Sequence, residues 1–164
     1  MKVKIKKLTE NAKIPTQAHD KDFCYDVYAT SVEEIEPGIW KYGIGLAFEI
    51  VRPLSLSLFS TNWWTGLEQL VARDDVKLSL DFRPRSSVWK TGMILSNCEG
   101  TLDELYRGEV MAYFYEVVPG KEKYKVGDRI GQIKLGFTLP LEFEEGEIDT
   151  NTERGTGGFG STGR

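Results

Sequence analysis

The sequence predicts an all-β domain, and three observations lead to that prediction. Most segments alternate polar and apolar residues with a period of two, or are short runs rich in β-branched and aromatic residues. Pro-Gly or Gly-Asp pairs at residues 37–38, 119–120 and 127–128 separate these segments as turns. The 164 residues contain no internal repeat and no second composition block. We therefore expect one compact sandwich, jelly roll or barrel.

The strands follow from this alternation in chain order. They are expected at residues 2–6, 43–50, 76–82, 108–118 and 129–135. The first segment, KVKIK, alternates lysine with β-branched residues, and the others are bounded by Gly, Pro, Asn or Asp.

One segment predicts a helix instead of a strand. Thr65 and Glu68 have capping-box spacing, and apolar residues follow at helical spacing, so a short helix is expected at about residues 65–73. Trp63 and Trp64 come just before it. They either pack the helix against the sheet, which is the commoner role, or form an exposed recognition patch.

Charge and hydropathy limit the kinds of partner that the protein is expected to bind. The formal net charge of -4 argues against a general nucleic-acid or anionic-membrane surface, although a local basic pocket is compatible with it. No apolar run approaches the roughly 18 residues of a spanning helix, and the N-terminal residues lack the apolar core of a secretory signal. We expect a soluble, cytoplasmic protein with no nucleic-acid or membrane partner.

The reactive residues exclude several chemistries. His19 is the only histidine and lies in a polar, loop-like stretch, while Cys24 and Cys98 form no CxxC pair. This composition therefore argues against a four-ligand structural zinc site, a zinc deaminase and a disulfide scaffold. No GxSxG nucleophile elbow is present. The remaining carboxylates, arginines, serines and glycines suit hydrolysis assisted by a hard cation such as Mg²⁺.

The C-terminal sequence ERGTGGFGSTGR matches GxGxxG literally, but no strand precedes the glycines and no helix can follow them. A dinucleotide fingerprint is therefore excluded. The segment offers unobstructed backbone N–H groups together with Arg154, Phe159, Ser161 and Thr162, which can wrap phosphates and stack on a base. It is either a mobile arm that closes on a nucleotide or merely a flexible end.

A second polar segment, residues 97–108, is expected to be a strand, a turn and a strand. Asn97, Asp103 and Tyr106 then share one hairpin. An amide can read a base edge, a carboxylate can activate water, and a ring can press on a sugar. The alternative role for Asp103 is that of a hairpin-turn aspartate.

Five segments resemble, in order, the five motifs of the homotrimeric all-β deoxyuridine triphosphatases. They are residues 22–27, 84–87, 100–108, 127–132 and 154–163. The resemblance implies a jelly-roll-like β-barrel or sandwich of that family, with Mg²⁺ as cofactor and dUTP as substrate. It also implies a catalytic domain at 1–148, an insertion within 51–80, and a flexible arm at 149–164 that closes the active site.

The same resemblance implies a role for each site residue. Asp103 would be the general base for the water that attacks the α-phosphate of dUTP, giving dUMP and pyrophosphate. Uracil and deoxyribose would contact Asn97, Gly100, Tyr106 and Phe159. The phosphates would contact Arg85, Ser86, Ser87, Gln132, Arg154, Gly158, Gly160, Ser161 and Thr162.

The resemblance further implies that Asp26 assists Mg²⁺ through water, and that the arm of one chain reaches a site built by others in a homotrimer. Phe23, Cys24 and Ser87 depart from the family pattern. Two alternatives stay open. One is a dCTP-deaminase-type enzyme of the same fold, in which Tyr113 here replaces the catalytic glutamate. The other is a regulatory protein on the same scaffold that binds a macromolecular partner through residues 51–80.

Overall fold

The computed structural model describes residues 1–52, 70, 73 and 75–157, and it confirms the all-β prediction. The strands are β1 (Lys2–Lys7), β2 (Tyr25–Tyr28), β3 (Ser31–Glu36), β4 (Ile39–Gly43), β5 (Leu46–Val51), β6 (Lys77–Pro84), β7 (Met93–Leu95), β8 (Gly100–Asp103), β9 (Met111–Glu116) and β10 (Arg129–Thr138). A single-turn 3₁₀-helix, Val88–Thr91, lies between β6 and β7 and was not predicted from the sequence.

The described strands form three antiparallel sheets. Strands β1 and β5 form a two-stranded ribbon. The β6 sheet has the order β2-β10-β6-β8, and the β9 sheet has the order β3-β4-β9-β7. The chain passes repeatedly from one four-stranded sheet to the other, which is the connectivity of a jelly-roll-like sandwich.

Period-two alternation builds the core between these sheets. In β9, Ala112 and Phe114 are buried, whereas Tyr113 and Tyr115 are exposed on the opposite face. The Phe114 ring meets the Tyr42 ring edge to face, with centroids 5.6 Å apart. Burying a large apolar side chain of this kind stabilises the fold by about 1.5–3 kcal/mol.

The strand predicted at residues 43–50 is present as β5, Leu46–Val51, but its predicted start is wrong. Strand β4 ends at Gly43 and β5 begins at Leu46. Gly45 between them has φ +65°, and a Cβ there would lie 2.3 Å from the Thr9 Oγ1. The chain therefore turns sharply at a position where only glycine fits, and it continues in a different sheet.

The expected hairpin at residues 97–108 is also wrong as a strand pairing. Strand β8 pairs with β6, while β7 pairs with β9, so the two strands belong to different sheets. The intervening turn contains Cys98 at φ +57°, a left-handed conformation that is uncommon outside glycine. Asn97 precedes β8, Asp103 is the last residue of β8, and Tyr106 follows it. Strand β8 lies in the β6 sheet, whereas β7 and β9 lie in the other. We call residues 97–109 the β8 segment.

Some predictions fall on residues outside the described ranges. The helix at about 65–73 does so apart from Leu70 and Arg73, as do Trp63, Trp64 and the end of the arm from 158 onwards. The division into a domain at 1–148 and an arm at 149–164 stays a prediction. Within the described ranges, no helix has the length and apolarity needed to cross a bilayer.

Gly92 generates a testable prediction, because this residue connects the 3₁₀-helix to β7. It has φ +68°, and a Cβ there would lie 2.3 Å from the Val118 carbonyl oxygen. Gly120 has φ +78° with open space around it, so it is a matched control.

We expect Gly120→Ala to lower the free energy of unfolding by about 1–2 kcal/mol from backbone strain alone. Gly92→Ala should cost clearly more, because the backbone must also shift. Thermal unfolding followed by circular dichroism measures both, and equal Tm shifts would contradict the steric argument.

Candidate active site

The β8 segment lines a cavity of about 290 Å³. Asn97 and Gly100 lie at the start of the segment, and Asp103 and Tyr106 lie at its end, yet all four line this one cavity. Its wall also includes apolar residues of β6 and β9, among them Phe82 and Ala112. The structure thus brings together four residues that the sequence singled out, while their roles stay predictions.

Gly100 keeps space open in the cavity between Phe82 and Asn97. A Cβ on this residue would lie 3.4 Å from the Phe82 Cβ and 3.6 Å from the Asn97 Nδ2. Any side chain longer than a methyl group would fill the space between the amide and the ring. Glycine therefore leaves the Asn97 amide accessible to a flat polar ligand.

Tyr106 is fixed by its own turn. Its hydroxyl donates to the Glu109 carbonyl oxygen at 3.0 Å, and its amide donates to the Asp103 carbonyl oxygen at 2.9 Å. The phenol lies directly over Gly108, where a Cβ would be 2.4 Å from the hydroxyl. The Glu109 carboxylate in turn accepts from the Gly45 amide at 2.8 Å. These contacts hold a half-exposed ring in one place at the cavity wall.

Asp103 is the carboxylate at this wall. It ends β8, pairs across the sheet with Ser79 of β6, and is exposed. An exposed carboxylate on a rigid strand end can accept a proton from a bound water molecule. A carboxylate and an aromatic ring, those of Asp103 and Tyr106, therefore lie on the wall of the same cavity.

A second polar cluster surrounds Asp26, which is only 4% exposed. The cross-strand register places Gln132 of β10 opposite Asp26 of β2. The carboxylate accepts from the Arg129 Nη1 at 2.9 Å and from the Gln132 Nε2 at 3.1 Å, and the Arg85 Nε lies 3.8 Å away. Two guanidinium groups against one carboxylate leave a net positive site next to Ser86 and Ser87, which suits an anion.

Arg129 is a residue that the sequence analysis did not single out. It belongs to the fourth motif, residues 127–132, so its position there was an available signal. Its side chain is partly exposed and contacts the buried Asp26 carboxylate. It therefore holds the carboxylate in place from the solvent side.

The cavity and the Asp26 cluster are separate within one chain. None of Asp26, Arg85 and Gln132 lines the cavity. Arg85 lies three residues beyond Phe82, about 10 Å along an extended chain. Arg154 does not belong to the cavity lining. Among the described residues, its Nε donates to the Gly157 carbonyl oxygen at 3.0 Å. Gly158, Phe159, Gly160, Ser161 and Thr162 lie outside the described ranges.

Asp26 is the carboxylate of this cluster that could hold a hard cation. The part of the chain that the structure describes holds no cluster of three His, Cys, Asp or Glu side chains. Each carboxylate oxygen of Asp26 accepts one hydrogen bond of ordinary length, so lone pairs remain. This fits Mg²⁺, which takes one or two protein carboxylates and most of its ligands from phosphates and water.

Comparison with known proteins agrees with the geometry. The dUTPase family model matches residues 75–163. The deoxyuridine 5'-triphosphate nucleotidohydrolase of Clostridium novyi (strain NT) is 36% identical over 166 residues, covering 99% of each chain. The corresponding protein of Nautilia profundicola is 32% identical and covers 100% of both chains.

The fold is similar to that of a mutant dUTPase from Staphylococcus bacteriophage 80alpha with dUpNHpp. The TM-score is 0.69 at 20% identity, and the alignment covers 99% of each chain. The family model and the full-length relatives identify the chain, which belongs to the dUTPase family of deoxyuridine 5'-triphosphate nucleotidohydrolases.

Proposed function

We propose that the chain hydrolyses dUTP to dUMP and pyrophosphate by an attack of water, activated by Asp103, on the α-phosphate. The observation that supports this most directly is the convergence of Asn97, Asp103 and Tyr106 on one cavity. An amide, a base and an aromatic face are what a deoxynucleotide site with a hydrolytic centre requires.

Asp103 carries the chemical step in this proposal. Its carboxylate accepts a proton from the water molecule as the water oxygen bonds to the α-phosphorus. The bond from that phosphorus to the bridging oxygen breaks, and the electron pair leaves with pyrophosphate. Positioned proton transfer of this kind contributes about 10²–10⁴-fold to the rate.

Selection of the nucleoside is assigned to the other cavity residues. Asn97 bonds the uracil edge, and Gly100 leaves space for the base. Tyr106 packs against the deoxyribose. Because its hydroxyl is tied to the Glu109 carbonyl oxygen, the ring cannot yield easily to a ribose 2′-hydroxyl. Rejection of UTP then follows from sterics.

The triphosphate is assigned to the cationic and hydroxyl groups. These are Arg85, Ser86, Ser87 and Gln132 near Asp26, and Arg154, Gly158, Gly160, Ser161 and Thr162 in the arm. Phe159 of the arm stacks on uracil, a contact worth about 1–3 kcal/mol. Asp26 would hold Mg²⁺ through water, and the chemistry that the ion would supply is neutralisation of phosphate charge and polarisation of the phosphoryl oxygens.

The separation of the cavity from the Asp26 cluster supports a composite site. One chain offers nucleoside-binding groups in one place and phosphate-binding groups in another. A second copy can bring its Asp26 cluster to the first chain's cavity. We therefore propose a homotrimer with three such sites, each closed by an arm.

Product analysis with each nucleoside triphosphate and Mg²⁺ tests the function. Release of pyrophosphate from dUTP, with poor turnover of UTP, dTTP and dCTP, is the expected result. Equal turnover of UTP would remove the Tyr106 filter. Ammonia release from dCTP would indicate the deaminase alternative, although the exposed Tyr113 phenol at the cavity is a poor substitute for a catalytic glutamate. Nucleotide binding without turnover would indicate the regulatory alternative.

Substitution of the proposed base gives the second prediction. Asp103→Asn retains the shape of the side chain and loses its basicity, so kcat should fall by about 10²–10⁴-fold. The Tm should stay unchanged, because Asp103 is exposed. Asp20→Asn, at an exposed carboxylate outside the cavity, is the matched control. Near wild-type kcat in Asp103→Asn would remove this residue from the mechanism.

Removal of the arm after Glu153 gives the third prediction. Five glycines between residues 155 and 163 make ordering costly, at about 1–2 kcal/mol of backbone entropy per residue fixed. The nucleotide-free Tm should therefore change little, while kcat/KM falls strongly because closure completes the phosphate site. Phe159→Leu tests the stack alone. Unchanged turnover in the truncated protein would make the arm merely a flexible end.

A further inference from the structure

Arg52 and Glu104 form a bidentate ion pair next to the cavity. The Arg52 Nε donates to the Glu104 Oε1 at 2.6 Å, and the Arg52 Nη2 donates to the Glu104 Oε2 at 2.5 Å. The side chains are only 20% and 21% exposed. A bidentate pair of this kind fixes distance and orientation together, unlike a single ammonium contact.

Arg52 also joins the two ends of the chain stretch between β5 and β6. It directly follows β5, which ends at Val51. Its guanidinium donates to the Arg73 carbonyl oxygen and, at 2.7 Å, to the Val76 carbonyl oxygen just before β6. The base of this stretch is therefore held by the same side chain that binds Glu104.

Glu104 transmits this hold to the turn at the cavity. It follows Asp103 directly, and its carbonyl oxygen accepts from the Arg107 Nη1 at 2.6 Å. Within the same turn, the Tyr106 amide donates to the Asp103 carbonyl oxygen. Asp103 is therefore joined to Glu104 by a peptide bond, and Tyr106 is joined to Asp103 by a hydrogen bond. The Glu104 side chain itself is anchored outside the cavity.

We propose that Arg52 and Glu104 are a positioning pair, which sets the orientation of Asp103 and Tyr106 from the junction of β5 and β6. This inference rests on the proposed function, because it assigns the pair a part in that reaction. Neither residue belongs to the cavity lining, so each acts through the turn and not on the substrate.

The electrostatics support a permanent pair. The hydrogen bond from Arg52 lowers the pKa of the Glu104 carboxyl against the opposing effect of burial, so Glu104 is charged at neutral pH. A contrasting pair, Lys4 and Glu49, is 58% and 44% exposed and is screened by solvent. The Glu49→Gln variant is therefore a matched control that breaks an ion pair far from the cavity.

The test uses Glu104→Gln, Arg52→Gln, Arg52→Lys and the double variant Arg52→Gln/Glu104→Gln in the full chain. We expect kcat for dUTP to fall about 10–100-fold in each single variant, with a much smaller change in KM, because small displacements of a catalytic group cost rate. Discrimination against UTP should weaken in parallel. Arg52→Lys should rescue little, since lysine lacks the fork, and the double variant should be no slower than the slower single variant.

Amide hydrogen exchange supplies a readout that does not depend on turnover. The Tyr106 amide should exchange faster in Glu104→Gln, while the Gly92 amide, bonded to the Trp89 carbonyl oxygen, should stay unchanged. Glu49→Gln should alter neither amide and leave kcat at the wild-type value.

Several outcomes would overturn the inference. One is wild-type kcat per folded molecule with only a lowered Tm, which is a purely structural role. Another is additive losses in the double variant. If Glu104→Gln does not fold, Arg52→Lys decides by the same measurements. Failure of the proposed function is distinct, because wild-type protein would then release no pyrophosphate from dUTP whatever the exchange of the Tyr106 amide.

Discussion

The antiparallel register between β6 and β10 is the constraint on which the candidate site depends. Gly131 of β10 lies against the Phe82 ring of β6, and a Cβ there would be 2.2 Å from the ring. With that contact fixed, the two-residue period of the strands sets which side chains share a face. Gln132 then faces Asp26 on one side, and Gly100 pairs with Phe82 on the other. A register slip by one residue would move every one of these groups to the wrong face.

The register also places the candidate nucleoside-binding groups and the candidate phosphate-binding groups at two different locations in the chain. The cavity lining combines the carboxylate residues Asp103 and Glu109 with the Asn97 amide and with aromatic or apolar groups, and it contains no Lys or Arg, which suits a neutral base and sugar. The Asp26 cluster gathers guanidinium and amide donors, which suit a triphosphate. None of Asp26, Arg85 and Gln132 lines the cavity of its own chain, and this division supports the proposed oligomer, in which a second chain supplies the phosphate-binding groups.

Local sequence patterns predicted what depends on local chemistry. The all-β fold was predicted from the alternation of polar and apolar residues. The candidate site residues were predicted from short motifs, in which the functional groups are close together in the sequence. Features set by tertiary contacts were not predictable. Gly45 breaks an apparently continuous strand because Thr9, 36 positions earlier, occupies the space of a side chain. The Arg52 and Glu104 pair joins residues 52 positions apart, and no local pattern indicates it. The roles assigned to Phe159 and the other arm residues beyond 157 rest on the motif alone.

In the proposed composite site, the Asp103 cavity of one chain works with the Asp26 cluster, including Arg85, of another. Mixed oligomers of Asp103→Asn and Arg85→Ala, formed by co-expression with two tags and purified through both, test it most directly. Each variant alone is inactive in this account. The mixture should regain about a third of wild-type dUTP turnover, because purification through both tags removes the homotrimers and each mixed trimer has one site of three that unites an intact cavity with an intact cluster. Mixed oligomers as inactive as their parents would contradict the composite site.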